Sequence, residues 1–251
     1  MSKYFIKLSF DGAAYHGWQI QENANTVQAE IEKALAILFS GKTEVTGAGR
    51  TDKGVHAKEY YAHFDKEEKF RAEDLADIAY RINAILPKDI AIQGIFPVKD
   101  DAHARFSACS RTYRYYISRV KSPFHENNAW TVFGKINLQL MNQAAKILVD
   151  YTDFTSFSKL HTEVKTNNCK VLQADWKAEN DLLVFTIKAD RFLRNMVRAI
   201  VGTLADVGKE KLSPDDFRKV IESRNRCEAG FSVPAKGLSL QEIEYPESIF
   251  L

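Results

Sequence analysis

One carboxylate stands among glycines and cations in the stretch from Val45 to Ala57, VTGAGRTDKGVHA. Asp52 lies between Thr51 and Lys53, with Arg50 just before them and Gly47, Gly49 and Gly54 around the group. Glycine permits φ > 0 and close backbone approach, so the stretch reads as a loop that presents a side chain. A carboxylate beside a guanidinium is held ionised and aimed, as a nucleophile or base requires. The same residues also suit a tight turn whose aspartate bonds backbone amides. Spacing excludes two phosphate-binding loops. Gly47 and Gly49 form GxG, but the next glycine is Gly54, which breaks the dinucleotide fingerprint. Gly41-Lys42-Thr43 ends like a P-loop, but Ala36 stands where its first glycine belongs.

The elements that must hold this loop are legible from periodicity. Tyr4 to Phe10 alternates as a strand, with Tyr4, Ile6, Leu8 and Phe10 on one face. The loop through Tyr15, His16, Trp18 and Gln19 suits either stacking on bases or a structural role as a capped loop, and the structural role is favoured. Asn25-Thr26 starts a helix carrying Val27, Ile31, Leu35 and Leu38 at helical spacing, and Gly41 stops it. A strand around Thr43 to Val45 leads into the Asp52 loop, and Glu59 to Phe64 forms another after it. The next helix, Ala72 to Leu86, turns Leu75, Ile78, Ala79, Ile82 and Ile85 inward, and Ile90 to Phe96 is a strand. The order strand, helix, strand, strand, helix, strand is that of a ferredoxin-like α+β unit.

The polar stretch from Lys99 to Arg105 is the expected boundary, giving halves 1–104 and 105–251. Beyond it, Thr112 to Val120 reads as a strand that places Tyr113 and Tyr115 on one face. A helix is expected from Leu138 to Val149. Lys170 to Trp176 and Leu182 to Lys188 read as a hairpin around Asn180-Asp181. A helix from Phe192 to Val207 would bury Leu193, Met196, Val197, Ile200, Val201 and Leu204. It would align Arg191, Arg194 and Arg198 on a different face. Ser213-Pro214 opens one more helix, and Leu238 to Ile243 closes the fold as a strand.

Composition sets the limits. Hydrophobic residues make up 45% of the 251 and charged residues 27%, enough for a core and for solubility. A net charge of +2 does not by itself announce a nucleic-acid binder, so any RNA surface must concentrate its cations. Cys109, Cys169 and Cys227 are widely spaced and odd in number, which fits reduced, buried or half-buried thiols in a cytoplasmic protein. No His/Cys/Asp cluster has metal-ligand spacing, so no metal is expected. The opening MSKYFIKLSF is too short and too lysine-interrupted for a secretory segment, and no run reaches membrane-spanning length.

GRTDKGVHA resembles the active-site signature of the TruA family of tRNA pseudouridine synthases. The resemblance continues in order along the chain. It includes Phe10-Asp11-Gly12, Gly17-Trp18-Gln19 and Thr26-Val27-Gln28, then Phe106-Ser107-Ala108 and Arg111-Thr112-Tyr113-Arg114-Tyr115. It goes on through Phe192-Leu193, Met196-Val197-Arg198 and Val201-Gly202, and ends with Pro234, Gly237-Leu238 and Tyr245-Pro246. The implied fold is α+β: two ferredoxin-like (RRM-like) halves with antiparallel sheets meeting around a central cleft that holds Asp52. The implied reaction isomerises uridine to pseudouridine at positions 38 to 40 of the tRNA anticodon stem-loop, without cofactor, in a homodimer. By the motif match Asp52 is the catalytic carboxylate, and Arg198 is its charged partner in preference to a phosphate contact. Tyr113 lies against the flipped base. Arg50, Lys53, Lys188, Arg191 and Arg194 are candidates for phosphate contact or for a solvated basic face. Lys53 departs from the alanine common in relatives, and His56 is expected to support the loop. The competing expectation is a non-catalytic RNA-binding protein of two such modules. A hydrolase using Asp52 as nucleophile ranks last, for want of a second acid and an oxyanion site.

Overall fold

A computed structural model of the chain describes residues 1–159 and 166–251. It is α+β. In chain order come β1 (Ser2–Phe10), α1 (Val27–Leu38), β2 (Thr46–Gly47), β3 (His56–Lys66), α2 (Ala72–Ile85), β4 (Ile90–Val98) and β5 (Ser110–Ser118). There follow β6 (Trp130–Thr131), α3 (Leu138–Ile147), β7 (Val171–Glu179), β8 (Leu182–Ala189), α4 (Met196–Gly208), α5 (Pro214–Glu222) and β9 (Leu238–Glu244). Two compact units result: Met1–Cys109 with Leu240–Leu251, and Ser110–Ser239.

In the first unit β1 pairs antiparallel with β3 and with β4, and β2 pairs with β3. The strand order is therefore β4-β1-β3-β2. Thr26 caps α1 by accepting the Ala29 N–H, which contributes about 1 kcal/mol at such a position. The alternation in β1 is real but buries both faces. Tyr4 packs on Phe64, which with Phe70 meets Phe39 just past the end of α1. Phe5, on the opposite face, is fully buried among Tyr61, His63, Tyr245 and Phe250. Ile85, expected inward, is 37% exposed, because α2 ends there and Leu86 turns in instead. The strand expected at 43–45 forms one step later. Val45 N–H is taken by Glu32 Oε1 at 3.0 Å and its carbonyl by Gln28 Nε2 at 3.0 Å, so helix side chains occupy groups that a strand ladder would need.

In the second unit β8 pairs antiparallel with β5 and with β7, and β6 runs parallel beside β5. The β7–β8 hairpin turns at Asn180, φ 53°, a conformation asparagine tolerates. α5 begins at the Ser213/Asp216 capping box with Pro214 in its first turn. Two expectations fail. The helix expected from Phe192 starts only at Met196, because Asn195 adopts φ 68° and breaks any earlier turn. Arg191 and Arg194 therefore precede the helix and share no helical face with Arg198. Two of the three cysteines, Cys109 and Cys227, are exposed; Cys169 is buried, and burial pushes its thiol up to about 12. Among the described residues no helix is long and apolar enough to cross a membrane, and no group of three or more His, Cys, Asp or Glu side chains is placed to hold a metal ion.

His63 is the one buried histidine among the described residues, at 7% exposure. Its Nδ1 accepts the Ala104 N–H at 3.2 Å, and its ring lies 4.7 Å from that of His103. Burial, then the neighbouring His103 and Lys3, push its pKa down to about 4. The folded state thus refuses a proton that the unfolded chain accepts near pH 6.5. Stability from this residue is complete above that pH and is lost as pH falls from about 6.5 towards 4, by roughly 1–3 kcal/mol. Urea unfolding midpoints measured across this window should drop for the native chain. They should drop less for His63→Gln, which keeps an acceptor for Ala104 but does not titrate.

Candidate active site

The Asp52 loop is locked from two sides. On one side Ala48 N–H bonds Tyr61 O at 2.8 Å, and the Tyr60 hydroxyl accepts the Gly49 N–H at 3.1 Å while donating to Gly49 O. Tyr60 stacks on buried Trp18 at 4.2 Å. A Cβ at Gly47 would sit 2.3 Å from Trp18 Nε1 and from the Tyr60 hydroxyl, so only glycine passes there. On the other side lies the segment 11–18. A Cβ at Gly12 would meet Val55 O at 2.0 Å, and one at Gly17, φ +92°, would meet Thr51 O at 2.1 Å. Gly54 N–H reaches Tyr15 O at 3.3 Å. The segment is itself tied to the start of β4, where Asp11 N–H bonds Asp89 O at 2.9 Å and Tyr15 Oη donates to Asp89 Oδ1 at 2.6 Å. Burial, then the Asp89 carboxylate, raise the Tyr15 phenol far above its ordinary pKa, so it remains a donor.

Between these supports Asp52 opens a hydrogen-bonded turn. Val55 N–H bonds Asp52 O at 3.1 Å, and Gly54 takes φ +81° at the third position, where a type II turn needs it. Asp52 is half-buried, whereas Arg50 and Lys53 are exposed. Thr51 Oγ1 is buried without a hydrogen-bond partner. His56 supports the loop as expected. Its Nδ1 lies 3.2 Å from Gly12 N and 2.9 Å from Asp11 Oδ1; a neutral ring accepts from the first and a protonated ring donates to the second. In the aromatic loop before α1 Tyr15 and Trp18 are buried and structural, whereas His16 and Gln19 are exposed.

In the second unit Tyr113 is half-buried on β5 opposite Ile187, with Phe192 edge-on at 5.1 Å. The core tyrosine of that strand is Tyr115, whose hydroxyl bonds Pro234 O at 2.8 Å. Arg198, in the first turn of α4, is half-buried. Its Nε donates to Val233 O at 2.7 Å, and its carbonyl accepts Val233 N–H at 3.3 Å. Arg226 fastens the same strap through Ala229 O, Gly230 O and Ser232 Oγ at 3.2, 3.1 and 3.0 Å. Asn195 Nδ2 also bonds Ser232 Oγ. Arg191 and Arg194 sit on the turn before α4, half-buried and exposed respectively; Asp190 Oδ1 accepts the Arg191 N–H at 2.6 Å, and Lys159 N–H bonds Arg194 O at 3.1 Å. Lys188 is half-buried on β8 opposite Thr112. Sequence reasoning missed Asp89, Tyr60, Asn195, Arg226 and Ser232. Tyr60 and Arg226 hold main chain, Asp89 takes the Asp11 N–H and the Tyr15 hydroxyl, and Asn195 bonds the Ser232 side chain; nothing in local residue pattern marks such roles.

Residues 144–246 match a family model described as tRNA pseudouridine synthase. The chain is 54% identical to the tRNA pseudouridine synthase A of Parabacteroides distasonis, over all of this chain and 98% of that protein. It is 54% identical to that of Bacteroides fragilis, over all of this chain and 99% of its relative. With the Bacillus subtilis protein of the same name the identity is 40%, over 95% of this chain and 97% of the other.

The glycines separate by the space around them. Gly17→Ala must accept both a left-handed φ and a backbone carbonyl at 2.1 Å, whereas a Cβ at Gly49 has nothing within 4 Å and Gly49 is not at positive φ. Gly17→Ala should lower unfolding stability by about 2 kcal/mol or more and depress turnover. Gly49→Ala should change stability by less than about 1 kcal/mol. Thermal melts of the two variants side by side measure the contrast.

Proposed function

The chain belongs to the tRNA pseudouridine synthase family, and on that premise we propose that Asp52 is its catalytic carboxylate, acting at uridines 38 to 40 of the anticodon stem-loop. The enzyme is an isomerase that converts uridine in tRNA to pseudouridine. The bond from ribose C1′ to uracil N1 breaks, the base turns, and C1′ is rejoined to ring carbon 5, whose proton leaves to solvent while N1 takes one up. The observation that carries the assignment is the setting of Asp52: a half-buried carboxylate at the head of a glycine turn, backed by main chain on both sides.

Arg198 is assigned as the cation that keeps this carboxylate ionised and aimed, on its match to the family's third block. Its anchoring to Val233 supports the role, because a guanidinium fixed through Nε keeps its remaining N–H groups in a set direction. Tyr113 is assigned to the flipped uracil. Its ring is half-buried, which supports a part in holding a base, and its hydroxyl is assigned to assist loss of the carbon 5 proton. Arg50, Lys53, Arg191 and Arg194 are assigned to the phosphate backbone. The order β4-β1-β3-β2 in one unit and β5-β8-β7 in the other supports two ferredoxin-like halves, the first carrying the Asp52 loop and the second the Tyr113 strand and the Arg198 helix. The enzyme is proposed to act in the cytoplasm as a homodimer.

Tritium at uracil carbon 5 of tRNA reports turnover directly. The native chain should release it; Asp52→Asn should release none while binding tRNA with little change. Release by the variant at more than about a hundredth of the native rate would take the role away from Asp52. For Arg198→Ala the expected loss falls on kcat by about 100-fold or more, with affinity changed by less than about tenfold. Arg194→Ala should do the reverse: weaker binding, a salt slope shallower by about one, and near-native kcat at saturating tRNA.

A further inference from the structure

Next to the Asp52 turn lies a loop whose backbone is fixed and whose tip is not buried. Gly17 anchors it: a Cβ there would lie 2.1 Å from Thr51 O and 3.3 Å from the carbonyl carbon of Asp52, so the two backbones touch. Trp18 plugs the core against Tyr60. His16 N–H bonds Asn25 O at 2.8 Å, and Gln28 N–H bonds Trp18 O at 3.0 Å. The Gln28 side chain accepts the Ile20 N–H at 3.1 Å while its amide donates to Val45 O at 3.0 Å. Gln21 Nε2 closes the loop on His16 O at 3.0 Å. At the tip, Gln19 is exposed and Ile20 is 45% exposed.

We infer that Gln19 and Ile20 form a subsite for the nucleotide adjoining the target uridine. The inference rests on tRNA being the substrate. A single exposed isoleucine is ordinary on a protein surface; this one differs in standing on a loop held by five bonds and pressed against the backbone of the catalytic residue. Gln19 follows Gly17 by two residues, so its Cα lies within about 7.6 Å of that contact. A neighbour of a uridine presented to Asp52 then lies within side-chain reach of this loop. The chemistry suits an RNA strand. The Gln19 amide offers two donors and an acceptor for a base edge or a 2′-hydroxyl, and Ile20 offers an apolar face to ribose or base. Exposed Arg50 and Lys53 on the adjacent turn supply cations for the phosphates, opposed by exposed Glu22 at the loop's far end and exposed Asp11 before it. Because the loop is already ordered, binding there spends little entropy on arranging it.

The test uses tritiated tRNA carrying either the natural nucleotide or an abasic residue next to the target uridine, on its 5′ or its 3′ side. The native chain should lose about tenfold in kcat/KM on one of the two abasic substrates. The double variant Gln19→Ala/Ile20→Ala should lose a similar factor on intact tRNA, mainly through KM, with its melting temperature unchanged. Combined with that abasic substrate it should lose less than about threefold more, since both changes remove the same contact. A double variant that matches the native chain on intact tRNA overturns the inference, as do losses that multiply. If the native chain releases no tritium, pseudouridine formation itself fails. The subsite is then judged by the same four combinations, read as tRNA affinity in the Asp52→Asn background.

Discussion

Two main-chain oxygens, those of Thr51 and Val55, occupy the space that side chains at positions 17 and 12 would fill. The rest of the Asp52 loop depends on this backbone-to-backbone contact. It gives the turn a floor that cannot be repacked, because neither partner has rotamers to change. Tyr60 and Trp18 close the opposite side by stacking and by hydrogen bonds to Gly49. The carboxylate of Asp52 is thereby presented by a chain segment that has little freedom of its own. Such preorganisation suits the catalytic role proposed for Asp52, since a group that must reorient at the moment of reaction stabilises less.

The second unit solves a similar problem differently. Arg198 is on a helix, so its backbone is already regular. In the role proposed for it, what must be fixed is the direction of a long side chain with about 2 kcal/mol of rotamer entropy. The strap of residues 229–233 does this through Val233, and Arg226 and Asn195 hold the strap. The left-handed Asn195 also sets where α4 begins, and so which turn Arg198 occupies. Beside it, Phe192 braces Tyr113 edge-on, an arrangement that contributes about 0.5–1.5 kcal/mol and leaves the ring in place.

Much of this was readable from residue pattern. The caps at Thr26 and Ser213, the hairpin turn at Asn180 and the helices of the first unit follow from periodicity and turn chemistry. The errors have physical causes. The 43–45 strand failed because Glu32 and Gln28 reach from α1 to its backbone groups, and side-chain competition for main chain leaves no periodic trace. The long arginine-bearing helix failed because Leu193 continues the apolar spacing through a turn that asparagine then breaks. Cys109 and Cys227 follow average burial preferences only in the mean. For the candidate site, the glycine-flanked aspartate stands out in the sequence because a loop that presents a carboxylate needs unusual residues. The Tyr60 hydroxyl that steadies it does not, nor does the Asn195 amide on the strap beside Arg198, because hydroxyl and amide groups do that work everywhere in proteins.

The Arg198 Nε donates to a peptide carbonyl, that of Val233. Every residue type offers that acceptor. Genetic drift at position 233 can therefore alter the fit of the buried valine without deleting the arginine's tether, and only an insertion, a deletion or a rerouting of the strap would remove it. The directional control of this cation is thus inherited through chain path, and it is shielded from most single-nucleotide change.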